Sequence, residues 1–240
     1  MWPGPYGEWG SKKYLMASLD QSLERMQIEY VDIFYSHRFD PLTPLEETAD
    51  ALAQSIYQGK ALYVGISSYS SKQTIRMNKL LKERGIRCLI HQPSYSMLNR
   101  WIEKDLLKTL SKLGIGCIAF SPLAQGMLSE KYLHKIPKNS RAAENSSLDK
   151  SKITKSYVKK IKGLLKIGNN RGQTISQLAI AWILRHKTMT SALIGSRTVK
   201  QLEECLDSLK NLKFSKFELK QIDKFAKEEK INLWEPSSRY

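Results

Sequence analysis

The sequence predicts an α/β fold in which parallel strands alternate with helices, and three observations predict it. β-rich runs begin near residues 30, 61, 88 and 116, spaced by about the 30 residues that a strand, a crossover helix and two short loops require. Apolar residues between these runs recur at helical spacing. Glycines and capping side chains punctuate the junctions. The units share strand-then-helix order but no side-chain motif, which sets them apart from a solenoid.

Taken in order, Leu15, Leu19, Leu23 and Met26 form one face of a first helix, and a strand follows over 30–36. Thr43, Pro44, Leu45 and Glu46 read as a capping box with proline at the first helical position. Leu45, Ala49, Leu52 and Ile56 supply that helix's buried stripe, and Gly59 ends it. A strand spans 61–67; Ser70 or Ser71 caps a helix carrying Ile75, Leu80 and Leu81, stopped by Gly85. Next come a strand over 88–92, a helix over 102–113 ended by Gly114, and a strand over 116–120.

From 121 to 152 the pattern lapses into a polar connection containing Pro122 and Pro137, long enough to carry function. Helical spacing resumes at Ile153, Tyr157, Ile161 and Leu164, and again at Ile175, Leu178, Ile180, Trp182 and Ile183. A fifth strand is expected over 191–195, helices over 199–209 and 217–228, and a loop around Trp234 and Pro236. One domain over 1–240 accommodates these elements.

Composition bounds the function. The longest apolar run, 178–184, is far shorter than a membrane span. The start has neither the basic nor the apolar region of a secretory signal, so the expectation is a cytoplasmic protein. Cys88, Cys117 and Cys205 are odd in number and far apart, which argues against a disulfide framework or a zinc site. The net charge of +16 raises the question of a polyanionic partner. Of the 39 basic residues 28 are lysine, whereas base readout favours arginine. A nucleic-acid partner is therefore the disfavoured reading, and lysines on outer helix faces are the favoured one. For the seven lysines of 150–166 a solvated outer helix is the favoured reading, and a surface helix that touches nucleic acid or anionic lipid is the alternative.

Polar residues stand at successive strand ends: His37, then Ser67 and Ser68, His91 and Gln92, Phe120 with Ser121 and Pro122, and Gly195 with Ser196 and Arg197. In a closed parallel barrel such positions converge on one mouth. An open doubly wound sheet is the alternative, but no glycine-rich phosphate fingerprint follows any strand. No serine lies in a G-x-S-x-G elbow, and His37, His91, His134 and His186 show no metal-ligand spacing.

The run from Tyr30 to Arg38 resembles the middle of an aldo-keto reductase, as do Asp40, Thr43, Pro44 and Glu46 to Thr48, and Gly59 to Ser67. So do His91 to Arg100, Ala119 to Gly126, and Leu193 to Gly195 leading to Gln201 and Glu204. The resemblance extends over essentially the whole chain, in the branch that also contains potassium-channel β subunits. It implies a (β/α)8 TIM barrel with NADPH as cofactor across its C-terminal face. The implied reaction is hydride transfer to a small aldehyde of the glyceraldehyde 3-phosphate or methylglyoxal class. It leaves room for a homo-oligomer and implies no metal.

By the same resemblance His37 is the catalytic histidine that orients the carbonyl, Ser67, Ser68 and Gln92 hold the carboxamide, and Phe120 stacks on the nicotinamide. Ser121, Pro122, Leu123 and Gly126 form the pyrophosphate loop, Lys131 is a phosphate contact, and Gly195 and Arg197 open the last cofactor segment. Gln201, Glu204 and Cys205 fall at the 2'-phosphate and adenine end. Arg197 stands where the family usually has serine and Cys205 where it usually has asparagine, which makes Arg197 a candidate for a charge-assisted 2'-phosphate contact. The family's first three strands, with their Asp, Tyr and Lys, are expected to fall before residue 1, leaving about five of eight strands.

Overall fold

The structure is a computed structural model that describes residues 10–138, 140–144, 148–229, 231–232 and 235. Its helices are α1 (Lys12–Met26), α2 (Leu45–Tyr57), α3 (Ser71–Glu83), α4 (Leu106–Leu113), α5 (Lys155–Asn170), α6 (Ile175–Leu184), α7 (Val199–Asp207) and α8 (Lys216–Ile222). The strands are β1 (Val31–Ser36), β2 (Ala61–Ser67), β3 (Cys88–Gln92), β4 (Gly116–Phe120) and β5 (Met189–Leu193), and their order in the sheet follows the chain. The chain packs as two compact units, one holding residues 10–93 and 102–118, the other Ser94–Trp101 and Ala119–Asn232.

In the first unit β1 pairs in parallel with β2, β2 with β3, and β3 with the start of β4. Val64 and Ile66 of β2 are fully buried, as are Ala49 and Leu52 of α2 and Leu81 of α3. Ser70 caps α3 by accepting from Gln73 N, while Gln73 Oε1 accepts from Ser70 N at 2.6 Å, a reciprocal pair that satisfies two otherwise orphaned donors. The capping box expected at α2 does not form. Thr43 Oγ1 donates instead to Asp40 Oδ2 at 2.6 Å, Pro44 sits just before the helix, and Glu46 pairs with Arg76. Asp40, nearly buried, also accepts from Leu42 N and Gly10 N, and so outcompetes the helix end for the threonine hydroxyl.

Other boundaries move for local reasons. The helix expected over 102–113 is broken: a 3₁₀ turn at Trp101–Glu103 precedes α4. Met26, expected on the buried face of α1, is exposed, since α1 ends there and Gln27 takes a left-handed conformation. β5 lies two residues earlier than expected, so Gly195 falls beyond the strand. The last helix stops at Ile222, six residues short of the expected end. The loop expected around Trp234 and Pro236 falls almost wholly outside the described residues.

In the second unit α6 is buried nearly all round. Its Trp182 has Tyr95 stacked at 5.4 Å, Arg185 over the ring at 3.6 Å and Arg100 at 5.0 Å. α5 turns its Tyr157, Ile161, Leu164 and Gly168 inward. A β-carbon on Gly168 would stand 2.8 Å from the carbonyl oxygen of Gln173, a backbone atom with no rotamer to yield. Gly168→Ala is therefore expected to destabilise by about 1–2 kcal/mol, the overpacking cost exceeding the roughly 1 kcal/mol that alanine gains in helix propensity. Chemical denaturation checks this, and a stabilised variant would show that the turn after α5 yields freely.

Candidate active site

β4 delivers Phe120 to the edge of a cleft of about 680 Å³ in the second unit, and the loop after it builds one wall. Ser121, Ala124, Gln125 and Gly126 all have positive φ, at 55°, 48°, 60° and 93°. Three of these are not glycine, and such left-handed residues carry strain that the surroundings must hold in place. Here the holding bonds are Ala124 N to Ser121 O at 2.9 Å, Gly126 N to Leu123 O at 2.9 Å, and the Tyr157 hydroxyl of α5 to Met127 O at 2.6 Å. Gln125 also lines the cleft, and its Oε1 is buried without a hydrogen-bond partner among the described residues.

The opposite wall comes from the segment after β5 and from α7. Thr198 caps α7 through Gln201 N, and Gln201 Oε1 in turn accepts from Arg197 N at 2.9 Å, which anchors the backbone of Arg197 at the rim. Glu204 Oε1 accepts from Thr174 Oγ1 at 2.7 Å. Burial, then Glu204, raises the Cys205 pKa, so Cys205 is a neutral thiol at pH 7.

Three cations border this cleft: Lys131, Arg197 and Arg141. Burial first, then Arg197 and Arg141, lower the Lys131 pKa, with Glu144 opposing. Like charges gathered around one concavity repel, and a bound anion relieves that repulsion. Of the cofactor residues named from sequence, all but Ser67, Ser68 and Gln92 line this cleft. Sequence reading missed Arg141, Gln125 and Ser129. They lie in the aperiodic connection over 121–152, and the available signal was an arginine ten residues past Lys131 in a polar loop.

The remaining named residues lie in the first unit. Ser67 Oγ donates to Gln92 O at 2.7 Å and Ser68 N reaches the same oxygen at 3.3 Å, so the ends of β2 and β3 bring the three together. Ser68 is left-handed, with φ 58°. His37 follows β1 and lines a cavity of about 160 Å³ with Tyr14, Tyr35 and Arg38. Burial, then Arg38, lowers the His37 pKa, so its imidazole is neutral at pH 7. Tyr35 lies over Gly65, where a β-carbon would meet its ring at 2.5 Å, and burial raises its pKa. Its ring fills space above a glycine chosen to admit it. His91, a strand-end candidate, is fully buried with Nε2 on Tyr69 O, so it is a structural histidine. Among the described residues no group of three or more His, Cys, Asp or Glu could hold a metal ion, and no helix is long and apolar enough to cross a membrane.

A family profile described as "Aldo/keto reductase family" matches residues 1–227. The chain belongs to the aldo/keto reductase family. Among curated relatives of this aldo/keto reductase is L-glyceraldehyde 3-phosphate reductase of Escherichia coli strain K12, 53% identical over 243 residues covering 99% of this chain and 70% of the relative. The enzyme of the same name from Escherichia coli O157:H7 is 52% identical over the same shares. Among solved structures, the thermostable aldo-keto reductase Tm1743, crystallised with the inhibitor epalrestat, superimposes with a TM-score of 0.70 at 27% identity, over 90% of this chain and 67% of that one. This aldo/keto reductase is thus an oxidoreductase of the (β/α)8 barrel type, with five strands among the described residues.

Proposed function

We infer that the chain serves NADPH-dependent reduction of a small aldehyde of the glyceraldehyde 3-phosphate or methylglyoxal class. The observation that carries this reading is the cation cluster Lys131, Arg141 and Arg197 around the cleft bordered by Phe120. The residues suit a nicotinamide dinucleotide phosphate. Three cations face a polyanion, the left-handed loop 121–126 offers backbone groups at close approach, and the orphaned Gln125 Oε1 accepts a donor from the ligand. Bound there, the cofactor supplies the hydride.

Each residue then has a role. Lys131, Arg141 and Arg197 hold the phosphates, with Ser121, Pro122, Leu123 and Gly126 lining the pyrophosphate path. Gly195, Gln201, Glu204 and Cys205 border the adenine end, and Phe120 offers a flat apolar face to the ring. Ser67, Ser68 and Gln92 hold the carboxamide. Neutral His37 donates a hydrogen bond to the carbonyl oxygen and fixes its orientation. A cytoplasmic setting goes with this reading, since all three cysteines are free thiols.

A second reading, nucleotide binding without turnover, is favoured by two tyrosines near His37, Tyr35 and Tyr69. Tyr35 is packed over Gly65, and Tyr69 is fully buried against Ser36 Oγ with its pKa raised by burial, so neither phenol is poised as an acid. NADPH fluorescence titration together with aldehyde-dependent NADPH oxidation separates the two. Binding with turnover supports the reductase, and binding alone supports the second reading. In the same titration Arg197→Ala is expected to weaken NADPH about tenfold while changing NADH affinity little, the size of one charge-assisted phosphate contact. Equal loss for both dinucleotides would remove Arg197 from the 2'-phosphate.

A further inference from the structure

The geometry points to a second anion-binding surface, on the outer face of α5 in the second unit, that docks on the phosphate backbone of duplex nucleic acid. Between Asp149 and Glu203 the chain has 12 Lys and Arg and no Asp or Glu. Within that stretch α5 buries Tyr157, Ile161, Leu164 and Gly168, and the exposed Lys155, Lys159, Lys162 and Lys166 recur at i, i+4, i+7 and i+11 on the opposite side. The helix therefore carries one continuous stripe of cations along about 16 Å, several times the axial spacing of duplex phosphate charges.

What makes this stripe more than ordinary lysine coverage is where the neighbouring acids go. α8 packs on α5, with Phe225 just after it against Gly163, and contributes exposed Lys216 and Lys220. The four acids over 216–229 are all committed to partners other than the stripe. Glu218 is held by Arg171, Asp223 and Glu228 by Arg100, and Glu229 by Lys160. None of the four stripe lysines has an ion-pair or hydrogen-bond partner among the described residues. The face is positive because its acids are spent on holding the unit together.

A membrane is the poorer occupant. A surface-lying amphipathic helix inserts its apolar side, and the apolar side of α5 is buried in the core. The stripe also stands apart from the residues assigned to the dinucleotide, so this inference does not depend on that reading.

The test is fluorescence anisotropy of a labelled DNA duplex of about 20 base pairs, from about 50 to 200 mM salt. The expected plot of log K against log salt has a slope of about −3 to −4, matching roughly four neutralised phosphates. The variant Lys155→Gln, Lys159→Gln, Lys162→Gln, Lys166→Gln is expected to bind at least tenfold more weakly, with a slope nearer zero and an unchanged melting temperature and NADPH affinity. Lack of duplex binding at low salt, or equal binding by the variant, overturns the proposal. So does binding to anionic phosphatidylserine vesicles without binding to DNA.

Discussion

Arg171→Met is expected to destabilise the chain by about 3–5 kcal/mol, the cost of leaving the partners of a buried charge unsatisfied. The Arg171 side chain is only 5% exposed and pairs with Glu218. It also donates to Gln173 Oε1 at 2.8 Å, to both oxygens of Asn211 at 3.1 and 3.2 Å, and to Lys213 O at 3.0 Å, with its guanidinium 3.9 Å above the Phe214 ring. Lysine cannot reproduce a planar fork with that many fixed acceptors, so Arg171→Lys recovers little. The effect reaches the cleft, because Gln173 leads into Thr174, whose hydroxyl holds Glu204. Calorimetry is expected to show a melting temperature lower by about 10 °C, and NADPH affinity to fall with it. A loss under 1 kcal/mol would show that the junction between α5 and α8 holds without this hub.

Acid is expected to remove about 3 kcal/mol of stability through His91 alone. Its Nε2 lies 3.1 Å from Tyr69 O, its Nδ1 has no partner among the described residues, and burial, opposed by the Tyr69 bond, drives its pKa down to about 4. The unfolded chain takes up a proton near pH 6.5, while the folded chain refuses it until about pH 4. Stability is full above that window and falls as pH drops through it. His91→Met removes the titration and loses the bond to Tyr69, so it is less stable at pH 7 but flatter between pH 6.5 and 4. His37 adds to the slope with the same sign in both proteins. Urea denaturation across this range gives the two slopes, and parallel slopes would place the acid sensitivity elsewhere.

Much of the first unit was legible in the sequence because its signals are local. The strands follow from short β-rich runs punctuated by glycine and polar residues, and of the two cap candidates for α3, Ser70 and Ser71, the fold uses Ser70. The cap at α2 was misread because the partner of Thr43 is Asp40, a competitor that a helix-start pattern does not weigh. β5 was misplaced because Gly195 reads as a strand end when only the apolar run is visible. For the cleft, the wall residues after β4 and β5 were named from motifs, whereas Arg141 was not. Its position depends on how an aperiodic loop folds back, which no periodicity encodes.

The Lys131, Arg141 and Arg197 cluster is expected to bind a phosphorylated nicotinamide dinucleotide. Isothermal titration of the purified chain with NADPH, alongside Arg141→Ala, measures it directly. One site of micromolar affinity is expected, its strength falling with salt and weakened about tenfold in Arg141→Ala. Millimolar or absent binding by the unaltered chain, or equal affinity in the variant, would contradict it.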